Sequence, residues 1–137
     1  MKPWWTVCFV LCISLLGWGK GPSHSHSSQN KAEDPGYLPA LAAADRFLNA
    51  WQAGDLETGT ILISDHARHS QNLAELERFF SAGASRAYEI GHGKGRRGHY
   101  TFPVVLISES GGQAHRKLSE ITLANTGKND WAVDKLP

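Results

Sequence analysis

Cysteine is nearly missing from this chain. Two occur in 137 residues, Cys8 and Cys12, and residues 20–137 have none. That excludes a disulfide-dense scaffold, a four-cysteine zinc site and, beyond residue 19, a cysteine nucleophile. Net charge is missing too, since 14 Lys and Arg face 13 Asp and Glu, a formal +1. A strongly basic nucleic-acid binder or an acidic-tail protein is thereby excluded as the default. No internal repeat occurs. At 41% hydrophobic and 20% charged residues the chain lies a little below globular averages, so part of it does not form core. Its length is room for one domain.

What is there first is an apolar leader. Lys2 precedes WWTVCFVLCISLLGWG, Trp4 to Gly19, and Lys20 closes it. A positive start before an apolar run is the layout of an export signal. The run of about 16 residues is short of the ~20 of a usual spanning helix. Two fates stay open for it. Gly17 and Gly19 have the small-residue spacing of a cleavage site after Gly19. Trp4, Trp5 and Trp18 would equally suit the interface of a retained membrane anchor. Neither cysteine follows the small residues a lipoprotein signal requires. The expected location is therefore periplasmic or extracellular, with membrane contact open through residues 4–19. Residues 20–36, KGPSHSHSSQNKAEDPG, carry no large apolar side chain and read as a flexible polar tether. His24-Ser25-His26 is part of that linker.

Residues 37–137 form one neutral domain with 11 Lys and Arg against 11 Asp and Glu. In 38–53, Leu41, Ala44, Leu48 and Trp51 mark a helical stripe with Phe47 beside it. Gly54 stops that helix, and Asp55 caps a second that runs toward Ser64. A third runs from about Asn72 to Ala82, with Leu73, Leu76 and Phe80 as its stripe. Strand patterns follow at 85–91, 99–109, 113–124 and 130–136. Tyr100, Phe102, Val104 and Leu106 alternate onto one face. Pro103 implies an edge or a bulge, and Gly111-Gly112 a hairpin turn. The expected class is α+β, with three N-terminal helices packed on a curved antiparallel four-stranded sheet.

The stretch Ala44-Asp45-Arg46-Phe47-Leu48-Asn49-Ala50-Trp51-Gln52-Ala53-Gly54-Asp55-Leu56-Glu57 resembles the opening of the nuclear transport factor 2-like superfamily, also called the SnoaL-like or cystatin-like cone. The helix-then-strand order is similar as well. The resemblance implies a conical cavity under a curved sheet. It leaves function open, because members include isomerases, hydrolases, cyclases and non-catalytic binders. In the ketosteroid isomerase branch, a Tyr of the first helix and an Asp after the second do the chemistry. The ungapped register through Gly54-Asp55-Leu56 puts Phe47 and Gln71 at those positions. Phe has no hydroxyl and Gln no proton-accepting carboxylate.

The expectation is therefore an exported domain without catalytic residues or cofactor, binding a small apolar ligand or a protein or envelope partner. Phe47, Trp51, Tyr88, Tyr100 and Phe102 are its candidate ligand-binding residues, with Trp131 as a further wall or as core. The alternative is a SnoaL-like isomerase or hydrolase with a non-standard acid–base pair drawn from Asp65 or His66. His66 and His69 are three apart, but a zinc site needs a third protein ligand that no spacing supplies, so no metal is expected. The segment 91–99, GHGKGRRGH, reads as a glycine-rich loop, and its Lys94, Arg96 and Arg97 are candidate anion-binding residues. It lacks the Walker spacing and the aromatics of a nucleic-acid platform. A homodimer through the open sheet face is a further option.

Overall fold

The computed structural model describes residues 34–81, 85–127 and 130–137. The leader, with its export and anchoring expectations, and residues 20–33 of the tether lie outside the described residues. The unit Lys31–Pro137 is compact by itself. Every described buried hydrophobic, from Ala40 to Val133, belongs to it. No described helix is long and apolar enough to cross a membrane.

Helix α1 (Tyr37–Ala53) buries Ala40, Ala44, Phe47, Leu48 and Trp51. The alanines allow close approach and the three large side chains fill the space beyond. Gly54 ends the helix at φ +70°, a left-handed cap without strain for glycine, and its N–H bonds to Trp51 O at 3.1 Å. Asp55 Oδ1 accepts the Thr58 N–H at 3.0 Å and caps α2 (Leu56–Ile61).

Helix α2 stops three residues before Ser64 because the backbone is claimed by strand β5 (Asp130–Lys135). Val133 N–H donates to Leu62 O and Ser64 N–H donates to Val133 O, both at 2.8 Å. Ser64 then caps a fourth helix, where the spacing predicts only three. Its Oγ accepts the Ala67 N–H at 3.0 Å and donates to Asp134 at 2.7 Å, which opens α3 (Asp65–Ser70) and ties it to β5. Six residues are too few to display a helical period. Helix α4 (Leu73–Ser81) follows, with Asn72 Oδ1 accepting the Ala74 N–H at 3.0 Å.

The remaining elements are β1 (Arg86–Ile90), β2 (Lys94–Arg96), β3 (His99–Ser110) and β4 (Gln113–Gly127), which with β5 make five antiparallel strands in place of four. The order is β1-β3-β4-β5, and β2 pairs β3 beyond the end of β1. The glycine-rich segment thus folds into the sheet. Gly91, His92 and Gly93 bulge between Ile90, opposite Val104, and Lys94, opposite Thr101. Pro103 sits inside β3 opposite that bulge. Its carbonyl accepts the Gly91 N–H at 2.8 Å, so its own missing donor falls where the ladder is already broken. Tyr37 Oη pins the bulge, accepting the Gly93 N–H at 3.2 Å and meeting His92 Nδ1 at 3.1 Å. Gly111 and Gly112, at φ +62° and +76°, make the tight β3–β4 turn.

Register shifts at Thr122/Leu123 and Asn125/Gly127 interrupt the β4–β5 pairing, and such bulges bend a sheet. Tyr100, Phe102, Val104 and Leu106 of β3 are all buried, as their alternation predicts. Helix α1 packs across this face, touching β1, β3, β4 and β5.

Candidate functional site

The filled part of the concave face is aromatic. Phe47 is 0% exposed. It stacks on Phe79 at 6.3 Å between ring centroids and meets Phe80 edge-on at 5.7 Å. A Cβ on Gly59 would lie 2.0 Å from Phe80 Cζ, so only glycine lets α2 seat this ring. Near the start of α1, Tyr37, Tyr100, Phe102 and Trp131 form a second cluster. Tyr100 Oη and Trp131 Nε1 are buried there without a hydrogen-bond partner among the described residues. Asp34 is close enough to act on the Tyr100 phenol, although the pair falls short of full hydrogen-bond geometry. Burial first, then Asp34, pushes Tyr100 up to about 12. Tyr100 in turn, with the Gly36 N–H, holds Asp34 below its ordinary value.

At the other end the face is open. The register sets Arg86, Ser108 and His115 side by side across β1, β3 and β4, and Tyr88, Leu106 and Lys117 in the adjacent row. Alternation keeps both rows on the concave face with the buried Leu106. Trp51 and Phe79 face them from the helices and enclose a recess of about 200 Å³. Trp51 is fixed in place. Its Nε1 donates to Phe79 O at 3.0 Å, and the Arg86 guanidinium lies 5.5 Å from its ring centroid while donating to the Trp51 carbonyl. Tyr88 donates to Asp45 Oδ1 at 2.7 Å, and burial, then that carboxylate, pushes its phenol up to about 12.

Of the five candidate ligand residues, only Trp51 lines this recess. Phe47, Tyr100 and Phe102 are core, and Tyr88 is half-buried in the same row as Leu106. Gln71 lines a different recess of about 220 Å³ with Thr60, Ile63, Arg68 and Leu76, to which Phe47 does not contribute. Phe47 lines neither this recess nor the one beside Trp51. Asp65 and His66 are exposed on α3. His69 Nδ1 meets the Asp65 carbonyl at 2.6 Å. Among the described residues no three metal-ligating side chains converge. Lys94 and Arg96 are exposed on one face of β2, and Arg97 takes φ +48° at the hairpin tip. On the convex face Leu118 is 83% exposed beside Val105 and Pro103.

No protein-family model matches the chain, and no curated protein does. Solved structures do match. A ketosteroid isomerase-like protein from Erwinia carotovora atroseptica aligns with a TM-score of 0.53 at 15% identity, over 72% of this chain and 91% of that one. A protein named Rd1NTF2_04 with long sheet aligns with a TM-score of 0.54 at 14% identity, over 69% and 94%. The fold is NTF2-like. A third NTF2-like structure, described as a transpeptidase from Campylobacter jejuni, aligns at 0.51 and 12% identity, over 70% and 97%. An NTF2-like fold fits a ligand-binding or isomerase-like domain, and identities this low carry the fold alone.

Phe79, Leu106, Ser108, His115 and Lys117 are recess residues that sequence reasoning missed. Phe79 and Leu106 sit at core spacing, and no local motif marks Ser108, His115 or Lys117. A signal was available. A two-residue turn at Gly111-Gly112 pairs Ser110 with Gln113, hence Ser108 with His115 and Leu106 with Lys117.

Proposed function

We propose that this domain binds a small, largely apolar ligand in the recess between α1, α4 and the β3–β4 hairpin, and does no chemistry on it. The observation that carries this reading is the recess itself, whose walls Trp51, Phe79 and Leu106 are apolar and whose lining holds no carboxylate. The histidine of the lining, His115, is exposed on β4 and not held in apolar surroundings as the general base of an isomerase or hydrolase would be. Phe47 has no hydroxyl and is spent on the aromatic stack. Gln71 has no carboxylate, and Asp65 and His66 face solvent.

The neutral probe 3-phenylpropan-1-ol tests the site. It is expected to shift the Trp51 indole N–H in NMR spectra of the native Lys31–Pro137 unit. Ser108→Trp, which fills the recess from its half-buried rim, is expected to abolish that shift. An unchanged response in that variant, or none in the native domain, would sink the reading.

The leader supports work outside the cytoplasm. Residues 1–36 fused to a reporter active only there should produce signal, and a silent fusion would overturn the location.

A further inference from the structure

We propose that the ligand is an amphipathic anion, an aromatic or short aliphatic carboxylate whose acid group is held at the rim by His115, Lys117 and Ser108. This rests on the recess being the ligand site and adds the charge of the ligand. The two faces of the β3–β4 hairpin explain the choice. Arg116 points to the convex side, where it pairs with Glu89 at 3.6 Å. His115 and Lys117, one residue either side of it, turn to the concave side and meet Ser108 and Leu106. Of the residues around the recess none is acidic, and His115 and Lys117 are the basic ones that turn inward. Arg86, in the Ser108 row, adds positive charge next to Trp51. The carboxylate of Asp45 is engaged by the Tyr88 hydroxyl.

The floor and the rim thus ask for different things. Trp51, Phe79 and Leu106 favour a ring or short chain. Lys117 and His115 offer N–H donors and Ser108 a hydroxyl, which together suit two carboxylate oxygens. A space of 200 Å³ equals roughly six or seven waters at ~30 Å³ each. That admits one ring and a short arm, so the acid group lies at the mouth where the cations stand.

The matched pair 3-phenylpropionate and 3-phenylpropan-1-ol isolates the charge, because their apolar parts are the same. Calorimetric titration of the Lys31–Pro137 unit is expected to give the acid about tenfold tighter binding at low salt, with the gap closing toward 1 M salt. His115→Gln with Lys117→Gln should reduce the gap to about twofold, and an unchanged denaturant-unfolding midpoint reports an intact fold. Lys117→Arg should keep the preference. Equal binding of acid and alcohol by the native domain overturns the anionic ligand while the recess stands. A preference that survives the double variant overturns the assignment to these side chains. Failure of both probes removes the recess and this inference together.

Discussion

The two ends of the concave face use similar side chains to opposite effect. Near the start of α1, Tyr37, Tyr100, Phe102 and Trp131 pack ring against ring, the last three buried. Beside the end of α1, Trp51, Phe79 and Leu106 leave a recess open. The difference lies in what can approach the rings. At the closed end Gly93 rides directly on Phe102, where a Cβ would sit 2.4 Å from Cδ1, and a Cβ on Gly36 would sit 3.0 Å from Trp131 Cζ2. At the open end β3 and β4 run on past the last paired residue of β1, and β5 covers β4 only from Thr122 onward. Arg86 ties the end of α1 to β1 there, while polar side chains take over from apolar ones along β3 and β4. Closure depends on backbone approach and opening on strand length, more than on hydrophobicity.

The change that breaks this contrast most is Phe47→Ala. It deletes the ring between the filled core and the Phe79 wall of the recess. A loss of about 3–5 kcal/mol in denaturant unfolding is expected, together with a deeper recess that accepts longer apolar probes. A loss below ~1 kcal/mol would mean that α4 collapses inward, leaving no sharp division between the two ends.

A smaller effect sharpens the closed end. The Tyr100 phenol rises from 10.0 to about 12 on folding, so the folded state favours its neutral form. Its contribution is complete below pH 10 and is lost as pH rises through 12. Tyr100→Phe is expected to leave neutral-pH stability within about 1 kcal/mol, since it removes a buried hydroxyl that makes no full hydrogen bond among the described residues. It should also reduce the alkaline loss between pH 10 and 12, with Tyr88 accounting for what remains. An unchanged alkaline profile would show that Tyr100 does not titrate with unfolding.

Much of the frame was legible in the sequence. Gly54 and Asp55 marked the corner between α1 and α2, and Gly111-Gly112 marked the hairpin. The alternation Tyr100-Phe102-Val104-Leu106 named the buried face of β3. Helix α3 was hidden because Ser64 caps it only once Leu62 and Ile63 have paired with Val133, 70 residues away in sequence. Strand β2 was hidden because three exposed residues between glycines carry no apolar pattern, and their pairing depends on Tyr37 pinning Gly93. The recess was hidden for a related reason. Aromatic residues at core spacing look alike whether they fill a cone or border one.

Local preferences are properties of neighbouring residues, so caps, breaks, turns and alternation were written in the chain itself. The residues that lack the isomerase groups, Phe47 and Gln71, were legible in the same way. Which aromatics stay buried, which recess remains open and which cations overlook it depend on pairings between residues far apart. Those pairings are settled only when β3 and β4 register against each other and α1 and α4 come down on them, because an empty space is defined by the surfaces that fail to meet.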